Sequence, residues 1–296
     1  MVKVPIFKGS CTALITPFNE HGVDYERLKR NIEFQYENGS SAILVCGTTG
    51  ENATLSTEEH DELVRVTVRE AKGRMKVIAG IGSNNTKKAL RAAENAKYAG
   101  ADAVLMVSPY YNKTSQKGLA EHFTYVADRI DIPMILYNVP SRTGINISVE
   151  TCKELSRHPN INGIKEASGD ISYAAKLRSA CGDDLHIWSG NDDCTVALMS
   201  LGALGVISVA SNIVPGAVSK LCELCLDENY REAAELFSKY SPLFSALFIE
   251  TNPIPVKTAM KFMGMDAGIM RLPLTELAQE NTGKLTSAMR AAGINI

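Results

Sequence analysis

Short apolar segments alternating with amphipathic helical patterns predict an α/β chain, a (β/α)8 TIM barrel with a C-terminal helical domain. Three observations carry that expectation. The apolar segments are continuous rather than alternating, as in parallel strands covered on both faces. The alternation stops near Ile213, after which only helical patterns follow. The length of 296 residues suits one barrel with an extension. A doubly wound open sheet is the competing architecture, but no glycine fingerprint of a dinucleotide fold follows the first strand.

The strands are predicted at Cys11–Thr16, Ala42–Cys46, Lys76–Gly80, Ala103–Val107, Pro133–Tyr137, Asn162–Lys165, His186–Ser189 and Gly205–Ser208. Between them, Tyr25–Glu37 carries Leu28, Ile32 and Tyr36 on one helical stripe. Thr57–Ala71 begins after Ser56, and Glu59 stands where a capping box needs it. Thr86–Tyr98 is Ala-rich and ends at Gly100. Lys117–Asp128, Val149–Arg157, Ile171–Ala180 and Asp192–Leu201 complete the alternation, the last two units being shorter. Val214–Cys225, Tyr230–Phe248, Pro253–Met263 and Leu274–Ala292 then read as helices, with Gly264 and Gly293 where C-terminal caps would fall. The expected division is a catalytic barrel over 1–224 and a helical domain over 225–296.

Hydrophobic residues make up 45% of the chain, charged residues 22%, and the net charge is −2. That balance describes a soluble globular protein and suggests no nucleic-acid partner. No apolar run approaches the ~18 residues of a membrane span, and Met1–Lys8 lacks a signal-peptide core, so a cytoplasmic location is expected. Seven cysteines, spread along the chain, fit reduced thiols used as small apolar side chains. Cys222 and Cys225 spell CxxC, but no second pair or histidine completes a metal set and the segment reads as helix. The histidines form neither HxH nor HExxH, and no metal or other cofactor is expected.

In such a barrel the active site lies at the C-terminal ends of the strands. The sixth strand ends on Lys165, before a Glu166-Ala-Ser-Gly169 turn. Burial penalises an ammonium and favours the neutral amine, the form that makes a Schiff base with a carbonyl. A strand-end lysine that snorkels to water would give the same local pattern. Tyr137 closes the fifth strand, 28 residues earlier, so one βα unit places the two on adjacent strands. A phenol there can shuttle a proton. After the second strand, Gly47-Thr48-Thr49-Gly50-Glu51 offers hydroxyls and turn amides as a cup for a carboxylate, or merely a tight turn with capping hydroxyls. Arg142, above the fifth strand, presents a fork that matches a carboxylate or pairs within the loop. Gly190 and Ile207, at the ends of the seventh and eighth strands, would offer backbone atoms to the pocket wall. Gly80-Ile-Gly82 after the third strand is a weak hint of a phosphate loop.

With GTTGE, SPYYN, YNVPSRTG and GIKEASG in this order, the sequence resembles the 4-hydroxy-tetrahydrodipicolinate synthase (dihydrodipicolinate synthase) family of pyruvate-dependent, class I aldolase-type lyases. The likeness extends through Asn252-Pro-Ile-Pro-Val-Lys257 and Arg271-Leu-Pro273. It implies condensation of pyruvate with L-aspartate-4-semialdehyde in lysine and diaminopimelate biosynthesis, on a homotetramer built as a dimer of dimers. It further implies that Lys165 carries the Schiff base and that Thr48 and Tyr137 form a proton relay with Tyr111 from a neighbouring subunit. Thr49 would hold the pyruvate carboxylate and Arg142 that of the semialdehyde.

N-acetylneuraminate lyase and 2-keto-3-deoxy-sugar acid aldolases share the lysine and tyrosine, but resemble this chain less at Ser141-Arg142-Thr143-Gly144. A non-catalytic sensor of small acids is the reading from another class. Retention of Lys165, Tyr137 and Thr48 together argues against it. Lysine-sensitive relatives bind L-lysine at a subunit interface, and Asn52, Ala53, His60, Asn84 and Tyr110 match that site here. Thr57 replaces a frequent histidine, and Lys88 stands where sensitive relatives carry a glutamate. A like charge there opposes the inhibitor's ammonium groups, so insensitivity to L-lysine is expected.

Overall fold

The computed structural model describes residues 3–265 and 267–296; Met1, Val2 and Asp266 lie outside the described residues. The barrel strands are β1 (Gly9–Ala13), β2 (Ala42–Val45), β3 (Lys76–Gly80), β4 (Ala103–Val107), β5 (Met134–Asn138), β6 (Ile161–Glu166), β7 (His186–Ser189) and β8 (Gly205–Ser208). Each pairs in parallel with the next, and β8 returns to β1 through Cys11 opposite Ile207, closing the sheet. The doubly wound alternative is thereby excluded.

Closure explains the continuous apolar runs. Ala42 and Leu44 point into the barrel beside Ile78 and Leu105, while Ile43 and Val45 join the separate cluster between strands and helices. Both faces of the strands are therefore dry apart from edges such as Lys76, at the start of β3. Trp188 fills the interior and stacks on Phe7 with ring centroids 5.0 Å apart, its indole N–H donating to the Phe7 carbonyl at 3.3 Å. The N-terminal end of the barrel is plugged in this way, which leaves the other end for a site.

The helices follow their local signals. Asp24 caps Tyr25–Glu37 by accepting from the Arg27 amide, and that bond holds its carboxyl below the usual range. The capping box of Ser56 and Glu59 is formed at the start of Thr57–Ala71, worth ~1 kcal/mol. Pro215–Leu226 packs on β1 and β8 as the last helix of the barrel wall, with Cys222 and Cys225 buried in it. Beyond it, Tyr230–Ala246 lies against Pro215–Leu226 and Gln279–Ala291, and Ile254–Phe262 packs on Gln279–Ala291.

Several boundaries differ from expectation, each for a tertiary reason. β1 begins at Gly9 rather than Cys11 and ends at Ala13, because Thr16 turns away to donate to the Gly50 carbonyl. The segment expected as one helix from Asp192 is a 3-10 turn, Asp192–Cys194, followed by Thr195–Ser200. The Asp192 carboxylate is buried against the Ser208 hydroxyl and the Val209 and Ala210 amides, which fixes the turn. The last helix starts at Gln279, not Leu274, where Glu250 accepts from the Ala278 amide. A small hairpin pairs Phe18–Asn19 with Gly22–Val23, and Pro140–Thr143 forms one helical turn. Neither was expected, as both are too short to show a period.

Candidate active site

Parallel register sets Tyr137 of β5 directly opposite Lys165 of β6. The amine lies 4.5 Å from the centre of the phenol ring, and the two residues are 7% and 5% exposed. Strand alternation then sends the next pair, Asn138 and Glu166, to the outer face. Asn138 Nδ2 donates to Glu166 Oε2 at 2.8 Å and to Asn146 Oδ1 at 2.7 Å, and Glu166 Oε1 accepts from the Ser168 amide at 2.6 Å. Burial pushes the Glu166 carboxyl up, partly offset by these bonds. The carboxylate next to Lys165 in sequence is thus committed away from the amine. Inside the barrel, burial pushes the Cys11 thiol up, so it stays protonated.

The turn after β2 carries Thr48 and Thr49. Gly50 N–H donates to the Gly47 carbonyl at 3.1 Å and Glu51 N–H to that of Thr48 at 3.0 Å. Thr49 is 3% exposed, and its Oγ1 accepts from Asn252 Nδ2 at 2.9 Å. With its lone pair engaged, the hydroxyl keeps its hydrogen to donate to an anion. Arg142 sits on the helical turn Pro140–Thr143 rather than in an irregular loop, and its Nη2 donates to the Asn252 carbonyl at 3.4 Å.

These groups converge on a cavity of about 620 Å³ at the C-terminal end of the barrel. Thr48, Thr49, Tyr137, Arg142, Lys165 and Gly190 all line it. Ile207 is fully buried inside the barrel and lines neither this cavity nor its neighbour. Tyr111 is 93% exposed on a left-handed backbone, with φ of 69°. The adjoining cavity, about 320 Å³, shares Thr48, Tyr137 and Arg142 and adds Asn52, Ala53 and Tyr110. Asn84 reaches that group through its bond to the Tyr110 carbonyl at 3.3 Å. His60 instead uses Nε2 on the Gly80 carbonyl at 2.8 Å, and Lys88 is exposed on the helix Thr86–Ala99. Among the described residues no cluster of His, Cys, Asp or Glu could hold a metal ion. No helix there is long and apolar enough to cross a membrane.

Gly80 and Gly82 allow close strand packing, which corrects the hint of a phosphate loop. A Cβ on Gly80 would lie 2.2 Å from the Cys46 carbonyl oxygen, and one on Gly82 2.4 Å from Val107 Cγ1. Sequence reasoning assigned no role to Glu51, Asn252 or Lys257. Their signal was present, since Glu51 ends GTTGE and the other two bound Asn252-Pro-Ile-Pro-Val-Lys257, but polarity in a loop does not reveal a buried partner.

Comparison with known proteins gives the family and the same fold. A family model described as the dihydrodipicolinate synthetase family matches residues 6–292. The chain is similar to 4-hydroxy-tetrahydrodipicolinate synthases of Caldicellulosiruptor saccharolyticus, 51% identical over 99% of both chains, and Thermoanaerobacter sp. strain X514, 49% identical over 98% of both. The crystal structure of dihydrodipicolinate synthase from Aquifex aeolicus superposes with a TM-score of 0.95 at 47% identity, covering 97% of this chain and 99% of that one. With a closed barrel whose mouth gathers a buried lysine, a tyrosine and a threonine turn, and with similarity along its whole length, this chain belongs to the dihydrodipicolinate synthetase family.

Proposed function

We propose that this chain is a lyase of the class I aldolase type that condenses pyruvate with L-aspartate-4-semialdehyde, giving 4-hydroxy-tetrahydrodipicolinate on the route to diaminopimelate and lysine. The observation that carries this reading is the Lys165 amine, buried beneath an open cavity and held over the Tyr137 ring on the adjacent strand.

Each residue has a chemical task. The Lys165 amine attacks the pyruvate carbonyl, and water leaves as the iminium forms. Thr49 and the turn amides hold the pyruvate carboxylate. Tyr137 and Thr48, both neutral hydroxyls, carry the protons that the carbinolamine loses and gains. The iminium draws electrons from the methyl carbon, which gives up a proton and becomes an enamine. That carbon attacks the semialdehyde carbonyl and forms the new C–C bond. The amino group of the semialdehyde then attacks the iminium carbon, expels the Lys165 amine and closes the ring, with one water released overall. Arg142 at the mouth grips the carboxylate of the second substrate. Gly190 forms part of the wall, whereas Ile207 lies deeper in the barrel and takes no part in it.

The active assembly is a homotetramer, a dimer of dimers, in which Tyr111 of a second copy completes the relay. Its support here is the near-complete exposure of Tyr111, on a left-handed backbone next to Tyr110, which lines the adjoining cavity. The barrel, with Pro215–Leu226 as its last wall helix, carries the chemistry, and the chain beyond it covers the mouth from one side through 248–252 and supplies subunit contacts. The enzyme works in the cytoplasm.

Borohydride trapping tests the central step. Pyruvate with borohydride should leave a reduced adduct on Lys165, read by peptide mass spectrometry. Lys165→Arg should abolish it, because guanidinium stays protonated and forms no imine. An adduct on another lysine would overturn the assignment.

A further inference from the structure

Cys46 and Glu51 bracket the turn that carries Thr48 and Thr49, and both have left-handed backbones with φ of 56°. A residue with a side chain persists there only where its surroundings fix it. Glu51 is fixed by its own carboxylate, which is 0% exposed. One oxygen accepts from Lys257 Nζ at 2.7 Å, the other from the Arg271 amide at 3.1 Å. The Lys257 ammonium, 1% exposed, spends its other two donors on the Thr16 carbonyl at 3.1 Å and the Ile269 carbonyl at 2.6 Å. The Thr16 hydroxyl in turn donates to the Gly50 carbonyl at 2.7 Å. Phe18 seals the pair: its ring centre lies 5.0 Å from Lys257 Nζ and 4.0 Å from the Arg271 guanidinium carbon.

Lys257 lines neither cavity that carries the site residues, and Glu51, which borders the adjoining one, has a 0% exposed side chain turned to Lys257 and the Arg271 amide, so the pair holds the turn rather than the substrate. A buried ion pair is also a weak source of stability, because apolar replacements of similar shape often do as well. What such a pair supplies is direction, since every donor and acceptor has one partner. We propose that the Glu51–Lys257 pair is a positioning device: it sets Thr48 and Thr49 over the Lys165 amine and makes the helix Ile254–Phe262 a working part of the active site. This rests on the roles given above to Thr48, Thr49 and Lys165.

The test compares wild type with the double variant Glu51→Gln/Lys257→Met, which removes both charges at nearly constant volume. Circular dichroism reports the fold. Steady-state kinetics and borohydride trapping report the site. The folded double variant should raise the pyruvate KM about tenfold and slow adduct formation on Lys165 by about a hundredfold, as expected for a displacement on the order of 1 Å. The semialdehyde KM should rise less than the pyruvate KM, because Arg142, on the turn Pro140–Thr143, meets this unit only through its 3.4 Å bond to the Asn252 carbonyl. Wild type that gives no adduct on Lys165 sinks the Schiff-base reading and the proposal with it. Wild type that traps normally, beside a folded double variant that matches it in KM and trapping rate, overturns the positioning role alone. Should the double variant fail to fold, hydrogen exchange on trapped wild type decides. Slowed exchange in 255–263 together with 47–54 supports the coupling, and protection confined to 47–54 overturns it.

Discussion

Replacing Gly190 by alanine puts one methyl group against the reacting amine. A Cβ at this position would lie 2.6 Å from Ala167 Cβ, 3.0 Å from the Glu166 carbonyl oxygen and 3.1 Å from Lys165 Cε. Carbon atoms pack best at about 3.5–4.0 Å, so the Ala167 contact is short by ~1 Å. The two chains cannot simply separate, because Gly190 N–H donates to that same Glu166 carbonyl at 2.7 Å. Part of the strain is therefore relieved by pushing the end of Lys165 aside. Overpacking of this kind costs ~1–3 kcal/mol of stability. A displacement of the amine on the order of 1 Å costs a further factor of ~100 in the rate of imine formation. The assay is single-turnover borohydride trapping with pyruvate, alongside a thermal melt. Gly190→Ala should fold with a lowered melting temperature and trap far more slowly than wild type. A folded variant that traps at the wild-type rate would refute the reasoning that a methyl group at position 190 displaces the lysine.

Arg142→Ala should raise the semialdehyde KM by ~10–100-fold, the loss of a charge-assisted hydrogen bond, while pyruvate trapping stays near the wild-type rate; loss of trapping would mean that Arg142 serves the first substrate. L-lysine at sub-millimolar concentration should leave the initial rate at saturating pyruvate unchanged, and strong inhibition would contradict the reasoning from Lys88. Lys88→Glu should introduce at least weak inhibition without loss of fold, since a carboxylate in the first turn of Thr86–Ala99 suits the helix dipole. His122 is buried with Nδ1 2.8 Å from the Thr86 hydroxyl, and burial holds its pKa down at about 4, below the 6.5 of an exposed imidazole. The unfolded chain therefore takes up the proton first, and stability falls as pH drops from 6.5 toward 4. His122→Gln should flatten that part of the melting-temperature profile; an unchanged slope would show that other groups dominate.

The barrel was legible because its signals are local. Parallel strands covered on both faces must be apolar throughout, and Lys76–Gly80, Ala103–Val107, His186–Ser189 and Gly205–Ser208 were placed to the residue. Asp24 escaped notice, whereas Ser56 with Glu59 announced its helix, because a capping box carries two coupled residues and a lone aspartate does not. The meeting of Tyr137 with Lys165 was also readable, since one βα unit between two strands makes them neighbours in a parallel barrel.

Tertiary structure decided what lies between distant polar residues. Thr49 and Asn252 are 203 positions apart, Glu51 and Lys257 206, and no periodic pattern links them. A lysine or glutamate in a loop looks the same in sequence whether solvated or buried. Only the folded chain shows that Lys257 is dry with all three donors engaged, that Glu166 turns outward to Asn138 while Lys165 turns inward, and that Ile207 lies within the barrel rather than at its mouth. Side-chain periodicity is written in the chain, and it determined the frame. The partner of a buried charge is set by which loops the closed barrel brings together, and that emerged only with the fold.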